Sequence, residues 1–282
     1  MKRVVLLIVA VFVTVFSFAQ DAAEKINQAN EAMKAKDYAK ALELYEDAMA
    51  NLGDVQVPDA INYNIGLAAY NSKSYEKAVE YFDKAIAANA NTAKAYDYQA
   101  RSYSKLKNYE SAMASYEKAI EATDGDTKAL VYNAGISAYQ GKMNEKAIEF
   151  FTKSVENGYK GANAQYYKAA VYKRMKNDEE YKAALEEGAK MFPGDKKICP
   201  AIAKIYVSEG NELYKKGAGI LSAANQAVND GKMTTADDAY NAEVAKAKVE
   251  FDAAIVVLEK ALKADQGNAN AQKLLDACKA VQ

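Results

Sequence analysis

Small and large apolar residues recur along this chain at helical spacing. A small residue is followed four positions later by an aromatic residue or Leu, and three after that by a second small one. The sets are Ala41/Tyr45/Ala48, Ala78/Phe82/Ala85, Ala112/Tyr116/Ala119, Ala147/Phe151/Ser154, Tyr181/Leu185/Gly188 and Ala254/Leu258/Ala261, with Tyr181 replacing the leading small residue once. Positions spaced in this way share one helix face. The leading residues stand 37, 34, 35, 34 and 73 apart, and a fixed period in this range marks a stacked array of repeats.

Each repeat divides into two helices. In the second, Ile61 to Asn71 carries Gly66 and Ala69 on one face, Asn71 to Ser74 breaks the pattern, and Tyr75 to Ala88 carries Ala78, Phe82 and Ala85. The first helices bring a small residue at Ala29, Gly66, Ala100, Gly135, Ala169 and Gly210, followed three later by Ala32, Ala69, Tyr103, Ala138, Tyr172 and Leu213. Small residues at the crossing let two helix backbones approach closely, and the large side chain fills the wedge beside the next hairpin. The expected fold is therefore all-α, one continuous domain over residues 20–282 with units at about 22–58, 59–92, 93–127, 128–161, 162–195 and 196–268.

The last unit is elongated. After Gly210 the matching small residue of the second helix, Ala254, arrives 32 residues late. Ile202 to Val228 is nearly free of breakers, Asn229-Asp230-Gly231 reads as a turn, and Thr235-Ala236-Asp237-Asp238 reads as a capped helix start. Residues of about 217–248 are thus expected to form an arm projecting by roughly 24 Å, at 1.5 Å per residue. Residues 269–282 are expected to form a helix covering the open end of the stack.

The amino-terminal segment has a different character. Lys2 and Arg3 precede an apolar run to Phe18, and Ser17-Phe18-Ala19 places small residues where a signal peptidase reads them. Residues 1–19 are expected to be a signal peptide, which implies export, most simply to the periplasm of a Gram-negative bacterium. An uncleaved anchor is the alternative, but the run is shorter than the roughly 20 residues a spanning helix needs. The residue after the cleavage point is Gln20 and the first Cys of the chain is Cys199, so lipid anchoring is not expected. Removal of residues 1–19 takes the formal charge from −1 to −3. No basic block follows phosphates, so nucleic acid is not expected as a partner.

Two cysteines in an oxidising compartment invite pairing. Cys199 lies early in the first helix of the sixth hairpin and Cys278 late in the terminal helix. If these helices stack in parallel, the two differ in height by roughly 20 Å, too far for a bridge, whose Cα separation is about 6 Å. Two buried free thiols are expected.

Candidate chemistry is sparse. The 282 residues include no His, and no Cys pair has metal-ligand spacing. No Ser, Cys or Lys stands in a nucleophile motif or phosphate loop. Glu76, Glu80, Glu145 and Glu149 lie beside lysines at helical spacing and read as solvated faces. No catalytic residue, metal or cofactor is nominated, and a non-enzymatic protein is expected.

The repeat resembles the tetratricopeptide repeat family over about residues 22–282. The family pattern sets a Trp, Leu-Gly and Tyr in the first helix, Ala and Phe four apart in the second, and a closing Pro. Gly66, Ala78, Phe82 and Ala85 match in the second unit, as do Ala169, Tyr172 and Pro193 in the fifth. Departures are the absence of Trp, the bulky Tyr181 and the lack of closing prolines elsewhere. The resemblance implies a right-handed superhelical solenoid of about six hairpins whose first helices line a concave groove for extended peptides or partner helices.

Mapped onto this sequence, the groove would be lined by Tyr63, Asn64 and Tyr70, by Lys94, Tyr98 and Arg101, by Tyr132, Asn133 and Tyr139, and by Tyr166 and Tyr167. Tyr offers a large rigid contact area, and Asn pairs with a peptide backbone as donor and acceptor. Family members that grip a chaperone carboxylate use a Lys/Asn, Asn, Lys/Arg set. Asn30, Asn64 and Lys94 match it, while Ile26 and Tyr98 occupy the other cation positions, so the clamp is incomplete. The expected function is a scaffold that binds a protein segment in this groove and associates with envelope complexes. A periplasmic solute or glycan binder with stacked tyrosines is the alternative.

Overall fold

The computed structural model describes residues 20–52 and 56–281. The expected signal peptide, residues 1–19, lies outside them. Thirteen helices and no strand are found among the described residues. They are α1 (20–34), α2 (Tyr38–Ala50), α3 (Ile61–Asn71), α4 (Tyr75–Ala87), α5 (Thr92–Lys105), α6 (Tyr109–Ala122), α7 (Lys128–Gln140) and α8 (Asn144–Glu156), followed by α9 (Gly161–Arg174), α10 (Asp178–Met191), α11 (Ile198–Asn229), α12 (Asp238–Ala264) and α13 (Ala269–Ala280). The chain divides into two compact units, residues 1–159 with four hairpins and residues 160–282 with two hairpins and α13.

The turn inside each of the first five hairpins is one design repeated. Lys36, Lys73, Lys107, Lys142 and Lys176 adopt left-handed backbone conformations with φ between 59° and 67°. Each terminates the first helix with paired backbone bonds: Lys107 N donates to Ser104 O at 3.1 Å and Asn108 N to Tyr103 O at 2.9 Å. These bonds satisfy carbonyls that the helix end leaves orphaned. The residue after the lysine then begins the second helix. Asp37, Asn108 and Asn177 cap it by accepting from the backbone N–H of Lys40, Ser111 and Glu180, each at 3.2 Å.

Helix pairs close at the expected crossings. A Cβ built on Gly66 would lie 2.6 Å from the Phe82 ring, and one on Gly135 would lie 2.9 Å from Phe151. Both rings are fully buried. Phe82 also stacks on Tyr98 of the next hairpin at 5.9 Å, so one side chain fills the crossing and the wedge together. In the first pair Tyr45 is buried near Ala29, and its hydroxyl donates to Asn30 Oδ1 at 2.6 Å.

The elongated last hairpin is present as two continuous helices, 32 residues in α11 and 27 in α12. Gly210 meets Leu258 and Gly217 meets Phe251. Further out, the Tyr240 hydroxyl donates to Asn225 Oδ1 at 2.9 Å, and Lys216 pairs with Glu250. The turn follows Asn229, with Gly231 at φ +69°. The start of α12 differs in detail from expectation: Asp237 is the cap residue, but its carboxylate accepts from Thr234 N and Oγ1 at 2.7 and 2.8 Å, closing the loop instead of the helix end. Helix α13 buries Ala271, Leu275 and Cys278 against α12, as a capping element should. Both cysteines are buried and free.

Candidate functional site

In the first unit, the first helices α3 and α5 assemble an aromatic and charged cluster. Tyr63 on α3 is buried against Phe82 and Tyr98, with ring centroids 5.9 and 6.4 Å away. Tyr98 on α5 also meets Tyr70 edge-on at 5.3 Å, and Tyr70 in turn meets Tyr75 at 5.8 Å. Arg101, one turn beyond Tyr98, lies with its guanidinium carbon 5.1 Å from that ring. Its Nε and Nη2 donate to the two Asp97 carboxylate oxygens at 2.8 and 2.7 Å. This two-bonded geometry fixes the guanidinium plane while leaving donors for a ligand.

The electrostatics follow from this packing. Burial, helped by the neighbouring Tyr98 and Asp97 and opposed by Arg101, pushes the Tyr63 hydroxyl up to about 12. Burial also raises Tyr70. For Arg101 burial opposes the charge, but the hydrogen bonds and charge of Asp97 outweigh it and raise its pKa. These phenols stay neutral at physiological pH, so they offer hydroxyl groups and ring faces rather than charge.

The expected groove residues have different fates. Tyr63 and Tyr132 were expected to face solvent, and this is corrected: they are only 9% and 8% exposed. Their rings serve as packing between hairpins, Tyr63 as above and Tyr132 against Phe151 and Tyr159 at 6.3 and 5.9 Å. Asn64, Tyr70, Tyr98, Arg101, Asn133 and Tyr139 remain half-buried, and Lys94 is exposed. The Asn64 and Asn133 side chains make no hydrogen bond among the described residues. Asn30, in contrast, is tied to Tyr45. In the second unit Tyr166 and Tyr167 are half-buried neighbours 6.2 Å apart, and Lys197 Nζ lies 5.7 Å from the Tyr166 ring centre while donating to Asn163 Oδ1 at 2.9 Å.

Asp97 falls on a groove-facing position by register, and its spacing of four from Arg101 is a helix-face ion-pair signal that the structure realises. Tyr75 and Tyr159 were missed, because they come from outside the first helices. Among the described residues no group of three or more His, Cys, Asp or Glu is placed to hold a metal ion. No helix among them is long and apolar enough to cross a membrane.

Residues 26–93 and residues 93–125 match family models described as tetratricopeptide repeat. Residues 26–125 are therefore tetratricopeptide repeats. No curated protein matches the chain. Among solved structures it is similar to a tetratricopeptide repeat protein from Parabacteroides merdae, at 18% identity and TM-score 0.51, covering 92% of this chain and 99% of that one. It is also similar to YrrB, described as a TPR protein with an unusual peptide-binding site, at 21% identity and TM-score 0.51, over 63% of this chain and 90% of that one. A TPR repeats protein from Bacteroides fragilis aligns over 93% of this chain and 99% of its own at 24% identity, with TM-score 0.37. These likenesses concern the fold.

Proposed function

We propose that the protein is a non-enzymatic scaffold of the bacterial envelope that docks an extended protein segment on the first-helix wall of residues 1–159. The observation that carries this reading is the fixed guanidinium of Arg101 beside Tyr98 and Tyr70, together with Asn64 and Asn133, whose amides lack internal partners. A peptide backbone offers the alternating donors and acceptors that such amides pair with. The fold shared with YrrB, a protein with a peptide-binding site, supports the same reading. Export rests on residues 1–19 and is tested by the intact mass of the mature protein: loss of Met1 to Ala19 is expected, and their retention would refute it.

The functional test uses capture of proteins from envelope extract by the wild type and by N64A/R101Q/N133A. Asn64 and Asn133 lie outside the packed crossings, so N64A/N133A alone should keep the melting temperature while discrete partners are weakened, and R101Q, which also unpairs Asp97, is read against that double variant. Full retention of the same partners would move the site elsewhere. Capture of no protein, with saturable binding of sugars, would favour the glycan-binding alternative.

A further inference from the structure

The unit of residues 160–282 contains a cavity of its own. The end of α10, the start of α11 and the end of α12 enclose a cavity of about 580 Å³. That is within the roughly 300–1,000 Å³ of small-molecule sites. Its floor is apolar: Ala189, Ile202, Ala264 and the Cys199 side chain line it. Its rim carries Lys190, Lys260 and Lys263. None of these three lysines takes part in an ion pair or side-chain hydrogen bond among the described residues, whereas other lysines of this unit, such as Lys182 and Lys216, are paired.

Among the described residues the one carboxylate on the cavity wall, Glu186, forms no ion pair with them and leaves the lining with an excess of positive charge. Glu186 instead accepts a hydrogen bond from the Tyr206 hydroxyl at 2.9 Å. Helix ends account for part of the arrangement, since Lys190 and Lys263 stand in the last turns of α10 and α12, where a cation complements the helix dipole. Lys260 lies a turn earlier and has no such role. Three cations over an apolar floor match a ligand with one anionic head and a short apolar body, because the head gains charge-assisted bonds while the body leaves water.

We propose that this cavity binds a small carboxylate with an apolar chain, of the size of a medium-chain fatty acid. Octanoate is the probe, titrated into the full chain by calorimetry and compared with octanamide, which keeps the chain and loses the charge. Saturable octanoate binding is expected, at least tenfold weaker for octanamide and for K190Q/K260Q/K263Q, whose exposed substitutions leave the packing intact. Maleimide labelling located by peptide mass adds position: octanoate should protect Cys199 and leave the labelling of Cys278 unchanged. Absence of saturable binding would overturn the proposal, as would equal affinity for octanamide or an undiminished affinity in the triple variant.

Discussion

The ordinary hairpins and the long arm differ about twofold in helix length, yet they close by the same contact. In α3 and α4 one glycine, Gly66, meets one ring, Phe82. In α11 and α12 the contact is made twice, by Gly210 on Leu258 and Gly217 on Phe251, seven residues apart on each helix. Ala224 continues the series on α11, and the buried positions of α12 are Ala247, Phe251, Ala254, Leu258 and Ala261. Steps of four and three form the seam of a coiled coil. A repeat hairpin is thus lengthened without a new kind of packing, provided that a small residue returns every two turns. Among the described residues the outer face of α12 is left open: Val249 and Val256 are 66% and 55% exposed.

The comparison breaks most visibly where a hairpin has only one such contact. Phe82→Ala should cost about 3–5 kcal/mol, because it leaves a cavity at the crossing and removes the stack beneath Tyr98. Denaturant unfolding of the chain measures it, and hydrogen exchange should place the loss in α3 to α5. A change below 1 kcal/mol would show that the crossing is not what holds the hairpins together.

Alkaline pH tests the same region through Tyr63. Its ordinary value near 10 is raised to about 12 in the fold, so the folded state favours the neutral phenol. The contribution is complete below pH 10 and is lost as pH rises through 12. Tyr63→Phe should flatten part of the stability loss across that window, with Tyr70 and Tyr116, which burial also raises, supplying the rest. An unchanged pH profile in the variant would sink the assignment.

Within the arm, Gly217 and Gly219 form a matched pair for the crossing rule. A Cβ on Gly217 would lie 2.9 Å from the Phe251 ring, while one on Gly219 meets nothing within 4 Å. Gly217→Ala should therefore destabilise the arm by about 1–3 kcal/mol through overpacking, and exchange protection should fall over residues 217–248. Gly219→Ala should instead gain about 1 kcal/mol from helix propensity alone. Equal effects of the two substitutions would mean that the second crossing contributes nothing.

The repeat and the arm were legible in the sequence because both are written in spacing. Gly66 sits where Phe82 needs a flat partner, and nothing beyond the local hairpin decides that. The exposure of the tyrosines was legible only in part. Tyr63 and Tyr132 stand three residues before the small crossing residues Gly66 and Gly135 and are buried, whereas Tyr98, like Asn64 and Asn133, stands two before its own, Ala100, and is half-buried. That register is written in the chain, but the rings that cover Tyr132, from Phe151 and Tyr159, come together only in the fold. Asn30 teaches the same lesson: it matches a binding position by register and is taken by Tyr45 within its own hairpin.

The smallest expected effect concerns the turns, where the five ordinary hairpins differ from the arm. The arm turns through Gly231, a residue suited to positive φ, whereas the others place a lysine there. An L-residue in the left-handed region costs about 1–2 kcal/mol relative to its preferred conformations, and these lysines are exposed, with no ion pair among the described residues to offset the strain. Lys107→Gly should therefore stabilise the chain by about 1 kcal/mol, less the entropy glycine adds to the unfolded state. Lys107→Ala removes the same side chain but keeps the Cβ, so it should give no gain. The two variants separate backbone strain from side-chain charge. If alanine stabilised as much as glycine, charge repulsion and not the left-handed turn would be the cause, and thermal unfolding of the pair decides between them.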